Sequence, residues 1–365
     1  MRHEGVNSIK HLYTGVLYPS EDQCGMPTKS SPALRKASDF KILWERSVSF
    51  MTVWIVHLGR RFHLIQTLAT LDSPQKPEIL AKLCSLDPPT VATWCTAAYS
   101  HRILQQSNGG YLLPKRLRPL IAFEDHPDYI AGQFSYLALR SLDYDAFDSL
   151  FRHGLVDKTA AHMVEAFAEA TKWDHTMFQK VILPLFPRLH RMMKAGGRIL
   201  DLGCGSGEWD LRMAPVFSKC VFLGVDPNKR AISLARQKAR HAGLDNRVSF
   251  LGGAAESIDF SGSFDIVYLG EVLYAIGAKA DVLRKCFRAL KQSGFLIIVE
   301  GLSERGDRPH SPTNQLIHGM ELDFALQGTR FLSESELRVL LRNSGFAKPR
   351  FVHANGGLWF IVAQK

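Results

Sequence analysis

The chain has 365 residues, 46% of them hydrophobic, and a formal net charge of +10. It is long enough for two domains with sizeable buried cores, and its composition excludes a disordered or collagen-like chain. The positive balance permits attraction to nucleic acid or an anionic membrane but demands neither.

The densest apolar run, Phe50 to Leu58, is interrupted by Thr52 and His57 and is about half the roughly 20 residues that a spanning helix needs. No membrane segment is expected. The N-terminus begins Met1-Arg2-His3-Glu4 and never develops the apolar core of a secretory signal. Six scattered cysteines without a Cys-x-x-Cys pair fit neither a zinc site nor a disulfide framework. These features predict a cytoplasmic protein with reduced thiols and no metal site.

Residues 1–40 mix Gly, Pro, Ser and charge without period and read as a tail that is poorly ordered. From Phe40 to Leu71 apolar positions recur at helical spacing, through Ile42, Val48, Val53, Val56, Phe62, Ile65 and Leu68, which predicts two amphipathic helices. A short helix carrying Ile79, Leu80 and Leu83 follows. A third, Pro89 to Leu104, starts at Asp87-Pro88, where proline suits the first turn. Asn108-Gly109 between two short extended stretches signals a hairpin, because both central residues need positive φ. Three helices closed by a hairpin make a winged-helix domain, assigned to residues 41–119. Its third helix offers only His101 and Arg102 as basic residues, so dimerisation or shaping of a substrate site is expected of it rather than DNA binding.

Residues 120–195 read as a helical connector, in which the adjacent Asp174 and His175 either face the cleft or, the favoured reading, form a helix-surface pair. At Gly196-Gly197 the pattern changes to strands alternating with helices, the mark of a parallel α/β sheet. The strands are Arg198 to Leu202, Val221 to Val225, Val248 to Leu251, Phe264 to Leu269, Phe295 to Glu300, Arg350 to His353 and Leu358 to Ala363. Within residues 196–365, the segment 302–332 is expected to form a lid. It contains a helix from Pro312 to Gln327 on which His318 and Glu321 are neighbours.

The first of these strands runs through Asp201-Leu202 into Gly203-Cys204-Gly205-Ser206-Gly207, a glycine loop opening a helix near Glu208. Glycines let backbone amides approach a ligand closely. The spacing is not that of the dinucleotide fingerprint, and the flanking charges Asp201 and Glu208 suit a cationic ligand better than a pyrophosphate. The next strand ends at Asp226, 19 residues after Gly207, near where an acid at a strand tip grips ribose hydroxyls.

This combination resembles the class I S-adenosylmethionine-dependent methyltransferases, whose first motif is matched by Leu200 to Gly207. The likeness continues through Arg247-Val248-Ser249-Phe250, Ser263 to Val267, Leu283 to Gly294 and Glu336 to Phe346. It implies a Rossmann-like seven-stranded methyltransferase sheet over residues 196–365, preceded by the winged-helix domain and connector. It further implies S-adenosylmethionine as cofactor, held by Asp201, Leu202, Gly203, Cys204, Gly205 and Gly207 at the methionine end and by Asp226 with Pro227 at the ribose. Gly270 borders the site. Where many members carry an acid that meets the adenine amine, this chain reads Gly253-Ala254-Ala255-Glu256, leaving the task to backbone groups of Ala254 and Ala255 or to Glu256.

The N-terminal module is similar to that of the winged-helix O-methyltransferases and of related bacterial winged-helix methyltransferases, where it pairs two subunits. A homodimer is therefore implied. Members with a His-Asp-Trp stretch use the histidine as general base; here the matching residues are Tyr274-Ala275-Ile276. A base matters chiefly for an alcohol or phenol acceptor, and placement of the reactants alone supplies roughly 7 to 11 kcal/mol of the barrier. Glu271, Tyr274 and His318 are the candidate catalytic residues: Glu271 as base or cation holder, Tyr274 to orient the acceptor, and His318 as a second base. The sequence thus predicts methyl transfer to a small organic acceptor, with oxygen favoured. RNA methylation and a cofactor-responsive regulator are the alternatives.

Overall fold

The computed structural model describes residues 32–156, 161–303, 310–354 and 357–365. The chain divides at Ser135/Tyr136 into two compact units.

The first unit opens on a 30-residue helix, α1 (Pro32–Arg61), followed by α2 (Leu64–Ala69), α3 (Pro77–Cys84) and α4 (Pro88–Ser100). The expected tail therefore gives way to helix at Pro32, since proline at the first turn and the Ala, Leu, Arg and Lys after it all favour helix; residues 1–31 lie outside the described residues. Asp87 caps α4 by accepting from the Thr90 N–H at 3.0 Å. The helix stops at Ser100, short of the expected Leu104, because Arg102 turns to positive φ (59°) and Leu104 dips into the core. A hairpin then pairs β1 (Gln105–Ser107) with β2 (Gly110–Leu112) across Asn108 and Gly109, both at positive φ. Ile55, Val56, Ile65, Leu68, Leu80, Val91, Trp94 and Ala98 share one buried core, each large side chain worth about 1.5–3 kcal/mol on burial.

The second unit begins within α5 (Ala131–Ser141) and continues through α6 (Phe147–His153), α7 (Met163–Ala170) and α8 (Lys172–Met177). After α8 comes a π turn at Phe178–Ile182 and a 3-10 turn at Leu183–Leu185. Pro184 cannot donate to the carbonyl four residues back, and the helix loosens there. α9 (Pro187–Ala195) leads into the sheet.

Its strands are β3 (Arg198–Leu202), β4 (Val221–Asp226), β5 (Val248–Gly252), β6 (Phe264–Gly270), β7 (Leu290–Ser303), β8 (Leu332–Ser333), β9 (Ala347–His353) and β10 (Leu358–Gln364). Seven run in the order β5-β4-β3-β6-β7-β10-β9, and β8, a two-residue eighth strand, pairs with β7. β5, β4, β3, β6 and β7 are mutually parallel, and β10 is antiparallel to both neighbours. The expected lid segment thus starts as the end of β7 and finishes in β8, with residues 304–309 outside the described residues.

Side chains alternate across this sheet as the pleat requires. Phe295, Ile297 and Val299 join one core with Trp209 and Met213 of α10 (Glu208–Val216) and Ile232 and Ala235 of α11 (Lys229–His241). Leu296 and Ile298 join the other, with Leu283 and Cys286 of α12 (Lys279–Ala289) and Leu337 and Leu341 of α14 (Glu334–Asn343). Between β7 and β8 lies α13 (Pro312–Ala325). Chain order reverses at β3, between β4 and β6, and open α/β sheets keep their ligand crevice at such a point.

Candidate active site

A cavity of about 420 Å³ lies at the carboxyl ends of β3, β4 and β6, walled also by residues of α7 and α8. Three positive-φ glycines shape its loop: Gly203 (79°), Gly205 (52°) and Gly207 (77°). Two serve packing, since a Cβ on Gly203 would strike Val272 and one on Gly207 would strike the Phe250 ring. Gly205 differs. No protein atom lies within 4 Å of where its Cβ would stand, so this backbone faces open cavity.

The loop is fastened to the neighbouring strand. Gly203 and Cys204 N–H groups both donate to the Val225 carbonyl, at 2.7 and 3.2 Å. Asp226 accepts from the Gly205 N–H at 2.9 Å on one oxygen and from the Asn228 N–H at 2.8 Å on the other, and a carboxylate keeps lone pairs for further donors. Behind the loop, burial pushes the Asp201 carboxyl well above its usual range, with Asp210 and Asp226 adding repulsion. Burial likewise raises Asp210 to about 7. Tyr268 floors the cavity, stacked on Trp209 with ring centroids 4.0 Å apart.

Of the residues expected to meet a cofactor, Asp201, Gly203, Cys204, Gly205, Asp226, Pro227 and Gly270 line this cavity. Leu202 is buried in the sheet core, Gly207 packs on Phe250, and Ala254 and Ala255 are not among the lining residues.

The far wall holds the acceptor candidates. Glu271 lines the cavity at φ +51°, strained for a side chain larger than glycine in the way functional sites store strain. Its N–H donates to the Val299 carbonyl at 2.8 Å. Burial raises its carboxyl to about 7, against the opposing pull of the Gly301 N–H. Tyr274 is buried against the cavity, its ring stacked 4.3 Å from Phe324 of α13. The turn between them is held by the fully buried Glu300, whose carboxylate accepts from the Tyr274 N–H at 3.3 Å.

His318 stands elsewhere. It is absent from the cavity wall, and its exposed ring contacts Glu321 at 3.0 Å, because helical phase turns position 318 to solvent while it turns Ile317 and Phe324 inward. Asp174 and His175 take the less favoured of their two expected placements: both are buried and line the cavity in place of forming a surface pair. Burial and the neighbouring Glu271 raise Asp174, while burial holds the His175 ring near 3, and so neutral, with Arg212 and Lys172 reinforcing it. Thr171, Trp209 and Tyr268 also line the cavity and carried no motif in the sequence. Among the described residues, no three His, Cys, Asp or Glu side chains are grouped to hold a metal ion.

Residues 193–318 match the family described as "Methyltransferase domain". The 24-methylenesterol C-methyltransferase 2 of Oryza sativa subsp. japonica is 33% identical over 155 residues, 42% of this chain and 42% of that protein. The 27-O-demethylrifamycin SV methyltransferase of Amycolatopsis mediterranei is 30% identical over 164 residues, 42% of this chain and 55% of that protein. The chain spans about half the length of these curated relatives. The human N-acetylserotonin methyltransferase, solved in complex with S-adenosylmethionine, superposes with a TM-score of 0.63 at 16% identity, over 93% of this chain and 99% of that one. With strand order, glycine loop and domain match in agreement, this chain carries a methyltransferase domain on the fold of the class I S-adenosylmethionine-dependent methyltransferases.

Proposed function

We propose that the protein is a methyltransferase that uses S-adenosylmethionine to methylate a small organic acceptor, oxygen being the favoured atom. When bound, the cofactor supplies an electrophilic methyl group. The observation that carries this reading is the cradle of Gly205 and Asp226: open backbone on one side, a half-buried carboxylate on the other. Asp226 would accept from ribose hydroxyls, with Pro227 beside it, and Asp201, Gly203, Cys204 and Gly270 would border the rest of the donor. Leu202, Gly207, Ala254 and Ala255 would serve it through the backbone that they shape. At the other end Glu271 would take the acceptor proton and Tyr274 would orient the acceptor. The relatives described above are named for action on a sterol, rifamycin SV and N-acetylserotonin, which favours a small molecule over RNA or a regulatory role.

The first unit, which we read as a winged-helix domain followed by the connector, would pair two copies. Phe40, Leu43, Trp44, Val48 and Met51 are exposed along α1 at spacings that place them on one stripe. A cytoplasmic location is supported by the unpaired thiols of Cys84, Cys95, Cys204, Cys220 and Cys286, and among the described residues no helix is long and apolar enough to cross a membrane.

Calorimetry with S-adenosylhomocysteine tests the central reading. Wild type should bind it, and Asp226→Ala should bind at least tenfold more weakly; equal affinities would remove Asp226 from the site, and no binding by wild type would end the enzymatic reading.

A further inference from the structure

Asp174 and Glu271 reach the cavity from different parts of the chain, α8 and the turn after β6, and face each other closely enough to repel. No cation pairs with either carboxyl among the described residues, and no lining residue is Lys or Arg. The cations placed by their contacts around this wall are engaged elsewhere. Arg212 and Lys172 act on His175, and Lys279 donates to the Ile276 and Tyr274 carbonyls while facing Glu300. Tyr268 adds a hydroxyl and no charge. Beside the pair stands His175, 5% exposed, with no partner at its ring nitrogens and on the same wall. A buried carboxylate is ordinarily paired or hydrogen-bonded, because desolvation of a lone charge is costly. Here no matching charge lies on the cavity wall among the described residues, so burial and mutual repulsion favour protons on the pair until a ligand brings that charge.

We infer that the acceptor carries an organic ammonium group, received by Asp174, Glu271 and His175. An ammonium has three N–H donors and no acceptor; once the pair has given up its proton, two carboxylates and the unprotonated imidazole nitrogen supply the acceptors. The body of the acceptor is largely apolar, since Met163, Val164 and Phe167 also line the cavity from α7. This rests on the reading of the cavity as a methyl-transfer site and narrows its substrate class: a small amine that carries a hydroxyl on an otherwise hydrocarbon body, in preference to a carboxylate or phosphate.

The test uses full-length protein saturated with S-adenosylhomocysteine and three probes of one shape: phenethylammonium, phenethyl alcohol and phenylacetate, each titrated by calorimetry. The ammonium should bind at least tenfold tighter than the alcohol, with phenylacetate weakest, and Asp174→Asn or Glu271→Gln should abolish the preference while leaving S-adenosylhomocysteine affinity within twofold. Equal binding of the three probes would overturn the inference. So would a tenfold loss of S-adenosylhomocysteine affinity in Asp174→Asn with the probe order intact, which would assign the pair to the donor's own amino group. Should either variant fail to fold, the probe order on wild type decides alone. Failure of wild type to bind S-adenosylhomocysteine would be a separate result, striking the methyltransferase reading itself.

Discussion

The Gly205 N–H donates to Asp226 at 2.9 Å, so the mobile-looking glycine loop is tied to the very carboxylate that ends the next strand. Gly205 holds φ at 52° with nothing near its absent Cβ. In Gly205→Ala the methyl group would enter the cavity and the backbone strain would cost about 1–3 kcal/mol. The expected outcome is a folded protein, modestly lower in Tm, with S-adenosylhomocysteine affinity reduced at least tenfold. Retention of full affinity would mean that this stretch of backbone does not meet the ligand.

Arg140 of α5 is fully buried and reaches Asp323 of α13 through Nε at 3.0 and 3.1 Å and through Nη2 at 2.8 Å, with Asp143 at 2.5 Å on Nη1. Tyr136 donates to the same Asp323 at 2.6 Å. Asp323 precedes Phe324, which stacks on Tyr274, so this cluster fixes the helix against the site. Arg140→Met strands two buried carboxylates, and breaking such a pair costs about 3–5 kcal/mol. Denaturant titration should register the loss, and Asp323→Asn in the Arg140→Met background should recover part of it. A loss under about 1 kcal/mol would count against the cluster as an anchor.

Buried acids set the pH response. Asp210 is raised to about 7 from 3.8, and burial pushes Asp201, Asp174 and Glu300 the same way. In the window between the two values the folded state binds more protons than the unfolded, so the contribution of these groups to stability is full below about pH 4 and is lost as pH rises through 7. Unfolding free energy measured at pH 5 and pH 8 should be lower at pH 8, and Asp210→Asn should shrink the difference. A wild type more stable at pH 8 would contradict the raised titration of these carboxyls.

Tyr274 has two separable parts. Its ring stacks on Phe324 at 4.3 Å, which Phe in its place preserves and Ala does not. Tyr274→Phe should keep Tm unchanged, whereas Tyr274→Ala should cost about 3–5 kcal/mol as a large buried ring is lost. With an amine acceptor in hand, Tyr274→Phe should lower kcat at least tenfold; an unaltered kcat would leave the residue a packing role alone.

Leu43 and Trp44 are 65% and 61% exposed on α1. If this stripe joins two copies, Leu43→Asp with Trp44→Asp should convert a dimer to a monomer in sedimentation velocity, at unchanged helix content. A wild type that sediments as a monomer at micromolar concentration would refute the pairing.

Much was legible in sequence because it is local. Strand β3 occupies the expected Arg198 to Leu202, and the hairpin falls on Asn108-Gly109, since strand period and positive φ are written in neighbouring residues. The glycine loop and Asp226 lie within one βαβ unit, where spacing along the chain translates directly into spacing in space. Asp174 and His175 carried no such signal. On α8 they suit a solvated pair as well as a cleft-facing one, and only tertiary packing, which sets Glu271 on the same cavity wall, decides between the two. His318 erred in the opposite sense: residue type and neighbours suited a base, but the phase of α13 was fixed by burial of Ile317, Asp323 and Phe324. Local geometry thus followed from the order of residues, whereas which carboxyls face one another without a counter-ion was decided by long-range packing, because burial and charge partners depend on elements far apart in the chain.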